Sequence, residues 1–217
     1  LKDMVGAGYK KKDIAGLTAS EQLARVNEET HELVKEQYNV YNRGLVPRLL
    51  ENGLHIVAHH EELNKEDAAF VDRYFADNVY PVLTPMAVDS SRPFPLIRNK
   101  SLNLGALVTK KNGNGELEFA TVQVPSVLSR IVLIPSEKEK KVILLEEVIE
   151  RNIHKLFLNY DIVCTYPFRI MRNADLTIEE EEAEDLLEEI EKQLKKRQWG
   201  QAIRLEVEEG IDSRLLK

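Results

Sequence analysis

The sequence contains a single cysteine, Cys164, among its 217 residues. One cysteine excludes an internal disulfide, and it also excludes the paired-cysteine motifs that hold structural zinc ions. Both absences are typical of proteins that fold in a reducing compartment, so we expect a cytoplasmic location.

Long apolar runs are also lacking. No stretch approaches the roughly 18 consecutive apolar residues of a membrane-spanning helix, and the N-terminus lacks the basic-then-apolar order of a signal peptide. Hydrophobic residues make up 43% of the sequence, which is enough for one core with a small appendage. Because the sequence begins at Leu1 without Met, we expect an incomplete chain.

Positive charge is scarce over the whole sequence. It has 30 lysines and arginines against 37 aspartates and glutamates, a net charge of −7, which argues against a dedicated nucleic-acid binder. Residues 99–173 are the exception, with 11 basic and 8 acidic residues and therefore a charge of +3. The middle of the chain is where we expect an anion to be tolerated best.

Motifs for phosphate or acyl chemistry are missing. Gly113 and Gly115 lie in an Asn-Gly-Asn-Gly segment that predicts a hairpin turn, and no Gly-Lys-Ser/Thr follows them. No Gly-x-Ser-x-Gly segment occurs either. The sequence therefore argues against a Walker-type ATP site and against a serine nucleophile on a strand-to-helix turn.

Histidines and glutamates give no convincing metal motif. Adjacent residues such as His59 and His60 point apart, whereas a zinc site needs three or four converging ligands, so we interpret them as surface histidines. The glutamates at 179–182 are interpreted as a helix start matched to the helix dipole. We therefore predict no catalytic residue, no cofactor-binding residue and no metal ligand, and the same holds for the isolated histidines His31, His55 and His154.

A capping box marks the first long helix. Thr18 and Glu21 have the spacing at which each side chain satisfies the other's backbone N–H. Gly44 and Pro47 are expected to bend or interrupt the helix, and Gly53 to end it. Between the capping box and Pro47, residues at helical spacing form one apolar stripe that is predicted to pack on partner helices: Leu23, Val26, Thr30, Leu33, Val34, Gln37, Tyr41 and Leu45.

The remaining chain mixes strands and helices. Asn64 is predicted to cap a second helix that ends near Asn78. The strands are predicted at 102–108, 116–124, 130–134, 142–145, 162–163, 168–171 and 202–208, with helices at 146–157 and 179–197. In the last strand, Ile203, Leu205 and Val207 are predicted to face inward. Because no regular alternation of strand and helix appears, the predicted class is α+β with a mixed or antiparallel sheet.

Four segments together resemble the polyphosphate kinases of bacteria. They read PVLTPMAVDSSRPFPLIRNKSLNL (Pro81–Leu104), FATVQVPSVLSRIVLIP (Phe119–Pro135), RIMRNADL (Arg169–Leu176) and IRLEVEEG (Ile203–Gly210). The resemblance implies that residues 1–53 end an N-terminal helical domain and that residues 54–217 form the middle, or head, domain.

The resemblance implies a reaction whose residues lie elsewhere. Members of this family move the terminal phosphate of ATP reversibly onto polyphosphate through a phosphohistidine, with Mg²⁺, in C-terminal domains absent here. None of the family's site residues maps onto this sequence, so we expect the chain itself to bind no cofactor and to be inactive. Its implied roles are assembly, as a homo-oligomer, and framing of the active site. For the parent enzyme, the periphery of the inner membrane is an alternative to the cytoplasm.

A few basic residues remain as candidate anion contacts. Arg92, Arg98 and Lys100 flank Pro93-Phe94-Pro95, and with Arg172 they are the candidates for weak contacts with polyphosphate. Solvated surface charges are the competing interpretation. Two other functions stay open: a stand-alone protein- or polyanion-binding module without kinase activity, and a small nucleotide-binding phosphotransferase, for which the sequence offers no phosphate cradle.

Overall fold

A computed structural model describes residues 1–88, 94–113, 115–136, 139–173 and 200–216. The chain forms two compact units, Leu1–Ile56 and Val57–Lys217. The division predicted after residue 53 falls immediately before strand β1, Leu54–Val57. The helix predicted at 179–197 lies outside the described residues. Within the described ranges, no helix has the length and apolar character needed to cross a membrane.

The first unit is helical. It comprises α1 (Lys2–Gly6), α2 (Ala19–Val40) and α3 (Val46–Glu51). The predicted capping box is confirmed, since Thr18 Oγ1 accepts from the Glu21 N–H and Glu21 Oε2 accepts from the Thr18 N–H. The predicted interruption is a π-helical turn, Tyr41–Leu45, whose wider ring carries the chain from α2 to α3.

The apolar stripe of α2 remains exposed in the single chain. The exposed fractions are 54% for Val26, 67% for Leu33, 37% for Tyr41 and 48% for Leu45. The stripe exists as predicted, but no helix among the described residues of this unit covers it. Partners for it therefore remain a prediction.

Among its described residues, the second unit contains two α-helices and seven complete strands. The helices are α4 (Lys65–Tyr74) and α5 (Leu145–Arg151). Asn64 caps α4 as predicted, because its Oδ1 accepts from the N–H groups of Glu66 and Asp67. The strands are β2 (Pro85–Val88), β3 (Leu102–Lys110), β4 (Leu117–Gln123), β5 (Ile131–Ile134), β6 (Lys140–Leu144), β7 (Tyr160–Arg172) and β8 (Ala202–Val207).

An antiparallel sheet of order β2-β4-β3-β7-β8 dominates this unit. β3 and β4 form the predicted hairpin, with Leu107 opposite Phe119, and β7 pairs with the other edge of β3. β5 and β6 pair separately, also antiparallel. The predicted α+β class is confirmed, and the two short strands predicted at 162–163 and 168–171 are parts of one long strand, β7.

The core of the second unit is built from these helices and strands. Its fully buried side chains include Phe75, Leu104 and Val108, and both Val148 and Ile149 on α5 have no exposed surface. Burying residues of this size stabilises the fold by about 1.5–3 kcal/mol each. Because α5 is held by this burial, the polar residues on its remaining face have fixed positions.

The inward orientation predicted for β8 is wrong. Ile203, Leu205 and Val207 are 45%, 51% and 38% exposed, whereas Arg204 and Glu206 are half-buried. The less exposed face of β8 carries a charged network instead. Glu206 Oε2 accepts from Arg169 Nε on β7 at 2.7 Å, and Glu206 Oε1 lies 3.2 Å from Arg204 Nε.

Candidate functional site

A cavity of about 260 Å³ in the second unit carries an unusual concentration of ionisable groups. Residues of β7, Cys164 to Tyr166, form part of its wall. No lysine or arginine occurs among the described residues that line it. Two histidines and four glutamates contribute most of the ionisable side chains: His59, His60, Glu61, Glu147, Glu150 and Glu208.

Two separate segments bring the central groups together. Glu147 and Glu150 are three residues apart on α5, so they lie on the same helix face. His60 begins a short 3₁₀ turn, His60–Glu62. The backbone N–H of His60 donates to Glu147 Oε2 at 2.9 Å, and His60 Nδ1 lies 3.3 Å from the same oxygen. This pair of contacts ties the turn to the helix.

Burial and mutual repulsion shape the electrostatics of the cavity. Burial first, and then the Glu147 carboxylate, raise the pKa of Glu150 from 4.5 to about 7. The same two causes raise the pKa of Glu208. The hydrogen bond with Glu147 raises the pKa of His60, against the opposing effect of burial. The negative charge of these carboxylates is therefore not balanced by neighbouring side chains, and either bound protons or a cation can balance it.

A hydroxyl group in the same wall lacks a hydrogen bond. Thr165 Oγ1 is buried and has no hydrogen-bond partner among the described residues, and Thr165 lines the cavity. An unsatisfied buried hydroxyl costs about 1–3 kcal/mol, so such groups are uncommon and call for an explanation.

The interpretation of both adjacent histidines as surface residues is wrong for His60. His59 is exposed, but the His60 side chain is only 19% exposed and contacts Glu147. No local sequence pattern indicates this contact, because the two residues are 87 positions apart. The sequence also did not indicate a site at Glu147 and Glu150, because two glutamates three residues apart are common on amphipathic helices.

The four basic candidates for anion contact have different environments. Arg98 and Lys100 are exposed, and Arg92 lies outside the described residues. Arg172 is half-buried, and its guanidinium donates to the carbonyl oxygens of Ile97 and Gly200, at 2.9 Å in each case. The structure thus places Arg172 beside the loop that carries Arg98 and Lys100, but the guanidinium of Arg172 is hydrogen-bonded to backbone carbonyl groups.

Comparison with solved structures identifies the class of fold. The chain is similar to the crystal structure of polyphosphate kinase from Porphyromonas gingivalis, with a TM-score of 0.62 and 21% identity. The likeness covers 67% of this chain and 25% of that one. About two thirds of this chain therefore share the fold of a part of that polyphosphate kinase.

Sequence comparison gives the family. Residues 1–57 match the polyphosphate kinase N-terminal domain, and residues 66–217 match the polyphosphate kinase middle domain. Similar relatives are the polyphosphate kinases of Halalkalibacterium halodurans, 48% identical, and Bacillus anthracis, 47% identical, each over all of this chain. The chain belongs to the polyphosphate kinase family. It spans about a third of the length of these relatives, 31% and 32% respectively.

Proposed function

We propose that the protein containing this chain transfers the terminal phosphate of ATP reversibly onto polyphosphate through a phosphohistidine. In this proposal the chain supplies the N-terminal and middle domains, residues 1–53 and 54–217, which assemble the enzyme and frame its active site. The observation that carries the proposal is the match of both domains, in order, across the chain. Relatives that match the whole chain at 48% and 47% identity are named polyphosphate kinase.

ATP and Mg²⁺ are assigned to other parts of that enzyme. Within the described ranges, the turn at Gly113 joins two strands, whereas a phosphate cradle leads from a strand into a helix. Of the two histidines that line the cavity, His60 contacts Glu147, and His59 is exposed. The described residues form no phosphate-binding loop with a nucleophile beside it. We therefore assign no step of phosphoryl transfer to this chain, and we expect the chain to be inactive when it is isolated.

A domain exchange tests the proposal. The equivalent part of the Halalkalibacterium halodurans polyphosphate kinase would be replaced by this chain, and synthesis of polyphosphate from ATP measured. We expect the chimera to be active, because the replaced part is 48% identical. The control is the same chimera with Val148→Asp, which places a charge where the side chain has no exposed surface and so disrupts the middle domain.

Labelling of the chain by itself supplies the complementary measurement. With γ-labelled ATP, the purified 217-residue chain should acquire no acid-labile, base-stable label and should make no polyphosphate. A phosphohistidine on the isolated chain would contradict its assigned role. A chimera that folds but makes no polyphosphate would contradict the proposal that this chain supplies the N-terminal and middle domains of a polyphosphate kinase.

Assembly as a homo-oligomer is the proposed structural role of the first unit. The exposed stripe of α2 supports it, because Leu33 is 67% exposed on a helix whose other face is polar. A second copy of the chain, or another part of the same enzyme, would bury this surface. The proposed location of the enzyme is the cytoplasm, where ATP is available.

A stand-alone polyanion-binding module is the second candidate function. The exposed Arg98 and Lys100, near the edge of the region with a charge of +3, favour it. The domain exchange separates the two candidates. An inactive chimera together with polyphosphate binding by the isolated chain would favour the module.

A further inference from the structure

Three atoms that can ligate a metal ion lie close together at the cavity. One ring nitrogen of His60 and one carboxylate oxygen from each of Glu147 and Glu150 lie within 4.8 Å of one another. His60 Nδ1 and Glu147 Oε2 are 3.3 Å apart. That is about the separation of two ligands that each lie roughly 2.0–2.1 Å from the same ion in a tetrahedral site.

The framework around these atoms is already ordered. Glu147 is 8% exposed, and α5 is fixed by neighbouring side chains such as Val148 and Ile149 that have no exposed surface. The bond from the His60 N–H to Glu147 holds the turn against the helix. To reach bonding distance of one ion, the three ligand atoms, which now lie within 4.8 Å of one another, would have to move closer together.

The charge of the cavity favours a cation over an anion or a neutral ligand. Its four glutamates are Glu61, Glu147, Glu150 and Glu208, and no lysine or arginine lies among the described lining residues. Burying carboxylates without a partner is costly.

Thr165 belongs to the wall of the same cavity. Its Oγ1 is buried without a hydrogen-bond partner among the described residues. A metal ion with three protein ligands keeps an open coordination position that a water molecule can fill.

We propose that His60, Glu147 and Glu150 bind one divalent transition-metal ion. One imidazole and two carboxylates are a donor set suited to Zn²⁺ or Mn²⁺, whereas Mg²⁺ favours oxygen ligands and retains most of its water. The ion would clamp the turn His60–Glu62 onto α5 and thereby stabilise the second unit. This inference is independent of the proposed kinase function, since it concerns binding by the described unit alone.

The test is metal binding by the purified chain after removal of metals with a chelator. Isothermal titration with Zn²⁺, and separately with Mn²⁺, should give one site per chain, and the bound ion should raise the melting temperature. His60→Ala and Glu150→Gln should each weaken the affinity on the order of 10- to 100-fold. Matched controls are His154→Ala and Glu66→Gln, because both residues are exposed and lie outside the cavity; they should change the affinity less than about twofold.

Circular dichroism and the melting temperature of each metal-free variant distinguish lost ligands from lost folding. Glu150→Gln keeps the size of the side chain, so the variant should fold as the wild type does and lose only the stabilisation by Zn²⁺. The proposal is overturned if neither Zn²⁺ nor Mn²⁺ binds, or if the affinity is unchanged in both cavity variants. Equal losses in His154→Ala would also overturn it, since they would indicate scattered surface binding.

Discussion

Arg151 at the end of α5 binds Asp72 on α4 through two parallel hydrogen bonds. Its Nε donates to Asp72 Oδ1 at 2.8 Å, and its Nη2 donates to Asp72 Oδ2 at 3.0 Å. The two side chains are 27% and 37% exposed. This bidentate pair fixes one end of α5, and the same helix carries Glu147 and Glu150 into the cavity.

Breaking this pair should destabilise the second unit. We expect Arg151→Met to lower the free energy of unfolding by about 1 kcal/mol at pH 7, since bidentate pairs exceed ordinary surface pairs but partial exposure screens this one. Urea denaturation followed by circular dichroism measures the change. The control is Arg25→Met, which removes an exposed pair with Glu29 on α2 and should cost less than about 0.5 kcal/mol. Equal costs for both variants would contradict the assignment.

The contribution of the same pair should depend on pH. Burial raises the pKa of Asp72, but the hydrogen bonds and charge of Arg151 outweigh burial and lower it below the ordinary 3.8. A lowered pKa means that the folded state favours the carboxylate. The stabilisation is therefore complete above about pH 4 and is lost as the pH falls through the folded-state value. The difference between wild type and Arg151→Met should shrink over that acidic range, and a constant difference would contradict this origin.

Local sequence signals were sufficient for much of the fold. The capping residues Thr18 and Asn64 and the Asn-Gly hairpin turn each act within a few positions, so their structures could be predicted from neighbouring residues. The orientation of β8 could not, because a period of two predicts one apolar face but does not say which face is covered. The less exposed face carries Glu206, whose partner Arg169 is 37 positions away in sequence, so neighbouring residues could not indicate it.

The candidate metal site was less predictable for the same reason. The contact between His60 and Glu147 joins residues 87 positions apart, and it depends on how the turn after β1 packs against α5. A motif search finds ligands only when they are close in sequence. The adjacent histidines could be identified in the sequence. The glutamates that lie beside His60 could be identified only from the way α5 packs in the structure.

Gly105 on β3 should not tolerate a branched side chain. A Cβ atom at this position would lie 3.2 Å from Phe119 Cε2 and 3.2 Å from Phe168 Cε1, on the neighbouring strands. Gly105→Val should therefore destabilise the sheet by about 1–3 kcal/mol through overpacking. Thermal or urea denaturation measures the loss. Adding Phe119→Leu provides the internal control: the double variant should lose less than the sum of the two single losses, and strict additivity would argue against ring contact as the cause.

The exposed stripe of α2 should mediate association. Because Leu33 and Tyr41 are 67% and 37% exposed in the single chain, we expect sedimentation velocity to show a concentration-dependent homo-oligomer. Leu33→Glu together with Tyr41→Glu should shift the chain to monomer, because charge on an apolar interface opposes burial. Lys35→Glu is the control on an exposed position outside the stripe. A wild-type chain that remains monomeric at all concentrations would contradict the prediction.

Polyphosphate binding by this chain should be weak and sensitive to salt. Residues 99–173 carry 11 basic and 8 acidic residues, while the chain as a whole has a charge of −7. The exposed Lys100 lies at the start of this region and the exposed Arg98 immediately precedes it. Contacts of this kind are each worth about 1 kcal/mol or less. The screening length is about 8 Å at physiological ionic strength, so binding should appear at low salt and fade as salt is added.

A pair of double variants tests this assignment at constant net charge. Arg98→Ala with Lys100→Ala should lower the affinity for labelled polyphosphate at low salt severalfold, whereas Lys65→Ala with Arg73→Ala, on the exposed side of α4, removes the same charge and should have a smaller effect. Arg172 is left unchanged, because its guanidinium supports the loop at Ile97 and its loss would disturb the fold. Equal effects of the two double variants would indicate a dependence on total charge alone. Tight binding that is insensitive to salt and to Arg98 and Lys100 would place the polyphosphate contacts on other residues.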